Sequence, residues 1–164
     1  AEIPEVVFGY DTDTMESVVL ELLRQRGLTI GVAESVTGGL VAGRLTATAG
    51  ASDVMRGGVV AYASEVKFDL LGVPRGPVIS EEASRAMALG VCRTVGSAVG
   101  LALTGVAGPG EQDGAKVGTL CIAVAMPGGV ASSTTVMLPG DRKTMRELAV
   151  ISALNYLRQL LLRS

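Results

Sequence analysis

The chain has 164 residues, a formal net charge of −2 and 48% hydrophobic residues, a composition typical of a folded globular protein. We expect one domain over residues 1–164, because a chain of this length buries roughly two thirds of its unfolded surface without disulfides or metals. The mildly acidic balance and the absence of a Lys and Arg cluster argue against nucleic acid or an anionic membrane as a direct partner. Since the chain contains no His, the Ser-His-Asp triad, the Cys-His pair and His-ligated zinc are excluded.

Cysteine usage and hydropathy indicate a cytoplasmic setting. Cys92 and Cys121 are the only cysteines, and each lies in an apolar run, which favours two buried thiols in a reducing compartment. No segment reaches the ~18 consecutive apolar residues of a membrane span. Residues 1–9 contain no basic residue, so they lack the pattern of a signal peptide. The first residue is Ala1, which fits either a processed start or a piece of a longer protein.

Apolar periodicity and turn residues predict the following elements in chain order: helix 13–27, strand 28–33, helix 40–48, strand 57–63, helix 64–72, helix 80–95, strand 99–104, hairpin strands 117–126 and 130–138, and a helix from 141 to the end. Asp13 and Glu16 have the spacing of a capping box, and Ser64 is the expected N-cap of its helix. The inner stripe of the last helix is expected at Leu148, Ile151, Leu154, Leu157 and Leu161. The polar residues 111–116 form the expected mobile loop. This alternation predicts a three-layer α/β/α sandwich with a mixed, mostly parallel sheet.

Ser35 follows the first predicted strand and directly precedes a helix start. The backbone N–H groups of Thr37, Gly38 and Gly39 are expected to be unpaired there and to point into a crevice at the sheet edge. Such a site can hold an anion, either a phosphate or the oxyanion formed when Ser35 attacks a carbonyl. A turn or N-cap role for this serine is the simpler alternative.

Tyr62 and Lys67 lie at the end of the second predicted strand and in the first turn of its helix, where α/β sheets place their ligands. A cation in a first helical turn opposes the helix dipole, so Lys67 is either a solvated residue or one held ready for deprotonation. With no His available, a lysine whose pKa is lowered by burial is the best remaining base for a serine nucleophile. Tyr62 can orient that lysine or relay a proton.

Two further groups are predicted at the same edge of the sheet. Thr104, Gly105 and Gly108 close the third strand with a Gly-rich turn that offers N–H groups and a hydroxyl to a ligand, or that simply makes a tight connection. Arg142 stands at the start of the last helix, where it can bind a phosphate in bidentate fashion or pair with a surface carboxylate. Neither Gly-rich turn is a P-loop, because no Gly-Lys-Ser/Thr follows.

Five sequence blocks occur in the order found in the CinA C-terminal domain family, and the chain resembles that family from about Val7 to its end. The blocks are AESVTGG at 33–39, GGV at 57–59 followed by Tyr62 and Lys67, TGVAGP at 104–109, VGT at 117–119 and GDR at 140–142. Two positions depart from the family pattern, Val36 where a Cys is usual and Lys116 where a Pro is expected, and both bear on turn geometry more than on chemistry.

The resemblance implies a nicotinamide-nucleotide amidase, which converts nicotinamide mononucleotide to nicotinate mononucleotide and ammonia without a cofactor or metal. By motif, Ser35 is the nucleophile, Lys67 the base and Tyr62 its assistant. The substrate-binding residues are then Thr37, Gly38, Gly39, Thr104, Gly105, Gly108 and Arg142. A homo-oligomer is expected, and the opening residues resemble family members fused behind an N-terminal nucleotide-processing domain.

Three alternatives stay open from the sequence. The domain can be a non-enzymatic interaction module linked to competence or DNA damage, although such a module has no need of the complete Ser35, Tyr62 and Lys67 set. It can be an amidase for another small amide, because specificity for the ring and ribose is not readable. A carboxylate-bound metal at Glu34 or Asp113 is the alternative to Ser-Lys chemistry.

Overall fold

The structure is a computed structural model that describes residues 12–164. The Val7 start of the family resemblance therefore lies outside the described residues. The helices are α1 Met15–Gln25, α2 Leu40–Thr46, α3 Ser64–Leu71, α4 Glu81–Val95 and α5 Arg142–Arg163. The strands are β1 Ile30–Glu34, β2 Met55–Val60, β3 Val99–Gly105, β4 Thr119–Met126 and β5 Val130–Met137. A short 3₁₀ turn, Ala51–Asp53, precedes β2.

The five strands form one mixed sheet in the order β2-β1-β3-β4-β5. Strand β1 pairs in parallel with both β2 and β3, whereas the β3–β4 and β4–β5 pairs are antiparallel. Helices cover both faces, so the predicted three-layer α/β architecture with a mixed sheet is confirmed. The carboxyl ends of β1, β2 and β3 consequently meet at one edge, where α/β sheets bind ligands.

The two faces of the sheet carry side chains of different size. On the face covered by α1, α2 and α5, large residues such as Val32, Leu101 and Leu103 form the main core. The opposite face carries Ala33 and Ala102 at the neighbouring positions, and α3 and α4 pack on it. Because these side chains are small, α4 comes close to the sheet and to α3.

Glycines mark the closest approaches of α4. A Cβ added at Gly100 would lie 2.1 Å from the Ala88 carbonyl oxygen, and one added at Gly90 would lie 2.1 Å from the Leu71 carbonyl oxygen. Neither distance is possible for a real side chain, so the backbone would have to separate. These contacts hold α3, which carries Lys67, firmly against α4.

Helix ends are where the sequence prediction was wrong in detail. The capping box of α1 is formed by Thr14 and Ser17, not by Asp13 and Glu16. Glu16 is instead buried and forms an ion pair with Arg44 of α2. Ser64 is the first residue of α3 rather than its N-cap, and no side chain caps that helix.

Leu154, Leu157 and Leu161 of the predicted inner stripe of α5 are buried, whereas Leu148 is only half-buried. Ile151 is exposed, and the buried side of the helix is formed by Met145, Ala149, Val150, Ala153, Leu154, Leu157 and Leu161. The small residues Ala149 and Ala153 bring the helix close to the sheet, and periodicity weighted toward large side chains overlooked them. Within residues 12–164, no helix is long and apolar enough to cross a membrane.

The close packing of α4 predicts opposite effects for two glycine substitutions in helices. Gly90→Ala should lower the free energy of unfolding by about 1–3 kcal/mol, because the new methyl group overlaps the Leu71 carbonyl. Gly43→Ala, in α2, is the matched control: nothing lies within 4 Å of its added Cβ, so its helix propensity should stabilise the fold by up to about 1 kcal/mol. Urea denaturation measures both, and a Gly90→Ala chain as stable as wild type would contradict this packing.

Candidate active site

A crevice of about 140 Å³ opens at the carboxyl edge of β1, β2 and β3. Five of the predicted site residues line it together: Ser35, Tyr62, Gly105, Gly108 and Arg142. Its lining also includes Val36 and Gln112. Lys67, Thr104 and the residues 37–39 are not part of this lining.

Ser35 is held by its backbone and keeps its hydroxyl uncommitted. Its N–H donates to the Leu103 carbonyl on the neighbouring strand at 3.1 Å, and its own carbonyl accepts from the Gly38 N–H at 3.0 Å. The side chain is 92% shielded, since only 8% of the residue is exposed. Its Oγ has no hydrogen-bond partner among the described residues, so it is free for a substrate.

The buried carboxylate of Glu34 occupies the N-terminus of α2. One of its oxygens accepts from the Gly39 and Val41 N–H groups, both at 3.0 Å, and the other accepts from the Ala42 N–H at 2.8 Å. A side-chain anion at the positive end of a helix satisfies donors that are otherwise left open. Glu34 therefore serves α2 and has little capacity left for a metal.

This arrangement corrects the expected anion site at residues 37–39. The Gly38 N–H is bonded to Ser35 and the Gly39 N–H to Glu34, so neither is free for a ligand. In this turn, the N–H groups of Val36 and Thr37 have no partner among the described residues. Thr37 is fully buried and its Oγ1 is also without a partner, whereas Val36 borders the crevice.

Lys67 is a buried lysine that rests on backbone carbonyls. The residue is 1% exposed, and its Nζ donates to the Ala61 carbonyl at 2.7 Å and to the Tyr62 carbonyl at 3.2 Å. Burial lowers the pKa of Lys67 below its usual value, although the charges of Asp113 and Glu65 act in the opposite direction. No carboxylate of the described chain forms an ion pair with it, so its charge is poorly compensated.

The parallel pairing of β1 and β2 brings Ser35 and Ala61 next to each other at the strand ends. Glu34 is paired with Val60 in the parallel register, and the Ala61 N–H donates to the Glu34 carbonyl at 2.7 Å. Ser35 and Ala61 thus leave neighbouring strands side by side, at a spacing of about 5 Å. The Lys67 amine donates to the carbonyl of Ala61, the residue next to Ser35 across this strand pair.

Arg142 connects two walls of the crevice. From the first turn of α5 it donates to the Gly108 carbonyl at 2.8 Å and to the Tyr62 hydroxyl at 2.9 Å. Tyr62 is 61% exposed, and its hydroxyl is directed to Arg142 while only its backbone oxygen contacts Lys67. The tyrosine hydroxyl is therefore placed at the substrate side of the crevice.

Thr104 does not offer its hydroxyl to a ligand, contrary to the prediction. The residue is fully buried, and its Oγ1 donates to the Val78 carbonyl at 2.9 Å. The loop expected to be mobile is anchored near the same point. Asp113 accepts from the Val78 N–H at 2.8 Å, and the backbones of Gln112 and Ala115 are hydrogen-bonded to each other.

Arg146 is a site residue that sequence reasoning missed. Its Nε donates to the Val36 carbonyl at 3.1 Å and its Nη2 to the Thr37 carbonyl at 3.0 Å. It follows Arg142 by one turn on α5, and that repeat of arginines is the only signal in the sequence that points to it. Among residues 12–164, no group of three or more His, Cys, Asp or Glu is placed to hold a metal ion.

The curated relatives that match this chain are longer than the chain itself. A CinA-like protein of Frankia casuarinae is 51% identical over 160 residues, which cover 94% of this chain and 37% of that protein. A CinA-like protein of Synechococcus sp. is 48% identical over 163 residues, covering 94% of this chain and 39% of that protein. The chain thus spans about two fifths of the length of these relatives.

Solved structures share the whole fold. A competence-damaged protein (CinA) superfamily protein from Klebsiella pneumoniae matches with a TM-score of 0.85 at 27% identity, covering 93% of this chain and 100% of that one. The competence/damage inducible protein CihA from Agrobacterium tumefaciens matches with a TM-score of 0.83 at 31% identity, covering 94% and 98%. The model of the CinA C-terminal domain matches residues 12–161. Because the family model matches residues 12–161, nearly the whole chain, this chain belongs to the CinA C-terminal domain family.

Proposed function

We propose that this domain is a metal-independent amidase that hydrolyses the carboxamide of nicotinamide mononucleotide to nicotinate mononucleotide and ammonia. Ser35 is the nucleophile and Lys67 its base. The observation that carries the proposal is the buried Lys67 amine, held by the carbonyls of Ala61 and Tyr62, together with the uncommitted hydroxyl of Ser35. An interaction module gains nothing from that arrangement, because burying a lysine without a carboxylate partner costs stability.

The partners of Lys67 suit a neutral amine. A neutral amine has two N–H bonds and one lone pair, and the carbonyls of Ala61 and Tyr62 accept both N–H bonds. The lone pair is then left to accept a proton from the serine hydroxyl. Burial disfavours the ammonium form, so it lowers the pKa of Lys67 and increases the share of neutral amine at a given pH.

The reaction takes place in two balanced halves. Lys67 takes the proton of the Ser35 hydroxyl as Oγ forms a bond to the amide carbon, which gives a tetrahedral oxyanion and an ammonium. Collapse of this intermediate breaks the carbon–nitrogen bond, and the ammonium gives its proton to the leaving nitrogen, which departs as ammonia. Water then attacks the acyl-serine with Lys67 again as base, and the acid leaves while Ser35 regains its proton.

The oxyanion is stabilised by the Val36 N–H in this scheme. It belongs to the residue after the nucleophile, it borders the crevice, and it has no partner among the described residues. The Ser35 carbonyl of the same peptide group is bonded to the Gly38 N–H, so the Val36 N–H points away from that bond. The donor thus differs from the Gly38 and Gly39 groups expected from the sequence.

Arg142 is the residue that binds the substrate phosphate. The Glu34 carboxylate already fills the start of α2, so the turn at residues 37–39 is unsuited to a second anion. Arg142 has five N–H donors, of which Gly108 and Tyr62 use two. Binding at the crevice mouth leaves the nicotinamide ring directed toward Ser35.

We also propose that the domain oligomerises and that it works within a longer parent protein.

Removing either Ser35 or Lys67 should abolish turnover of nicotinamide mononucleotide. Ser35→Ala and Lys67→Met should each lower kcat by about a thousandfold or more, and the double variant little further, because the pair acts as one unit. Wild-type activity should rise with pH through the lowered pKa of Lys67, since the base works in its deprotonated form. Ammonia release measures each of these effects.

The exposed Lys143→Met, on α5, is the control and should keep wild-type activity. Substantial turnover by Ser35→Ala would contradict covalent catalysis. Loss of activity on chelation, restored by a divalent cation, would replace the Ser-Lys scheme with metal chemistry.

Arg142→Ala should discriminate between ligands with and without a phosphate. A charge-assisted contact of about 1.5–3 kcal/mol corresponds to roughly 10- to 100-fold weaker binding of nicotinamide mononucleotide. Nicotinamide riboside lacks the phosphate and should lose less than about threefold, as judged by calorimetry or KM. Equal losses for both ligands would mean that Arg142 only braces Tyr62 and Gly108.

A further inference from the structure

We propose that Arg146 is a positioning residue of the amidase, which holds the turn after Ser35 so that the Val36 carbonyl stays turned away from the oxyanion. The inference rests on the proposed function and adds to it a residue that does not contact substrate. Three features carry it: the two bonds from its guanidinium, the type of turn that it grips, and its placement on α5.

The guanidinium of Arg146 binds consecutive carbonyls in the turn of residues 35–38, called the serine turn. Its Nε lies 3.1 Å from the Val36 oxygen and its Nη2 lies 3.0 Å from the Thr37 oxygen. For the Val36 oxygen, Arg146 is the only partner among the described residues. The Thr37 oxygen also accepts from the Leu40 N–H at 3.2 Å, so that carbonyl is less dependent on the arginine.

The held carbonyl is the central one of a β-turn. Residues 35–38 form this turn, because the Gly38 N–H donates to the Ser35 carbonyl at 3.0 Å. The central peptide of a β-turn, here the one between Val36 and Thr37, is the group whose orientation separates the main turn types. Arg146 binds its oxygen and thereby keeps this peptide in one orientation.

The orientation matters for the charge that develops on the substrate. A carbonyl oxygen turned toward the crevice would repel the oxyanion, whereas donors preorganised around it stabilise the transition state. Arg146 keeps the negative ends of both carbonyls on the α5 side. The turn packs tightly on it: a Cβ added at Gly38, whose φ is +60°, would lie 3.1 Å from the Arg146 Nη2.

The placement of Arg146 separates its role from that of Arg142. Arg142 contacts the opposite wall at Gly108 and Tyr62, where the phosphate is proposed to bind. Among residues 12–164, the hydrogen bonds of Arg146, half-buried one turn later, go only to the serine turn. Loss of Arg146 should therefore reduce the chemical step and leave substrate binding nearly unchanged.

The test compares Arg146→Ala and Arg146→Lys with the control Lys143→Ala, an exposed position on the same helix. Two measurements are made. The first is the rate at which a fluorophosphonate phosphonylates Ser35, detected by mass spectrometry. The second is the steady-state kinetics, kcat and KM, for nicotinamide mononucleotide. Arg146→Ala should lower phosphonylation and kcat by about 100-fold with KM within about threefold, because the turn is misplaced. Added methylguanidine should restore much of the lost rate, and Lys143→Ala should match wild type.

A folded Arg146→Ala chain that is phosphonylated within about threefold of the wild-type rate would overturn the proposal. So would a loss that appears in KM alone or that methylguanidine does not repair. If the alanine variant fails to fold, Arg146→Lys decides: it keeps the charge but cannot bridge both carbonyls, so its phosphonylation should fall at least about tenfold, and a wild-type rate would overturn the role. Wild-type chain that is phosphonylated at Ser35 but releases no ammonia would reject the amidase substrate alone and leave the Arg146 test intact.

Discussion

The burial of the Lys67 amine against the carbonyls of Ala61 and Tyr62 is the interaction on which the site depends. A lysine in this position is costly as an ammonium, because burial removes its hydration and no described carboxylate pairs with it. The close packing of α3 against α4 at Gly90 offsets this unfavourable free energy of burial. The same burial lowers the pKa of Lys67, so the destabilising feature is also the one that makes a base available.

The end of the neighbouring strand completes the site around this buried lysine. The parallel pairing of β1 with β2 brings Ser35 beside Ala61, whose carbonyl accepts from the lysine amine. Helix α5 then closes the arrangement from the other side, with Arg142 on one wall and Arg146 on the serine turn. Glu34 satisfies the N–H groups at the start of α2. Val36 and Arg142 are then the groups proposed to bind the negative charges of the substrate in the crevice.

Sequence reasoning predicted the parts of this structure that depend on local pattern. Apolar runs identified the five strands of the described residues, and residues at a strand end or a helix start, such as Ser35 and Arg142, were correctly brought to one crevice. It failed where a partner is chosen by three-dimensional packing. Gly38 and Gly39 looked like free donors because nothing in the spacing shows that the Ser35 carbonyl accepts from Gly38 or that Glu34 folds back onto Gly39. Thr104 likewise seemed available, since its acceptor at Val78 is distant in sequence.

Arg146 shows the same limit from the opposite side. An arginine on an amphipathic helix has an ordinary solvated interpretation, and only the packing of α5 against the serine turn reveals its two carbonyl partners. The family resemblance supplied the catalytic set, but geometry was needed to distinguish residues that line the crevice from those that support it. Lys67 is buried like a supporting residue, but its proposed chemistry is that of a residue that acts on the substrate.

The most direct test of the account is the titration of Lys67 itself, followed by NMR of lysine side chains labelled with ¹⁵N, with Lys67→Met used to assign the signal. We expect the Lys67 amine to lose its proton below the reference pKa of ~10.4. A Lys67 that titrates at or above the reference value would contradict the account, because no neutral amine would then be present to activate Ser35 near physiological pH.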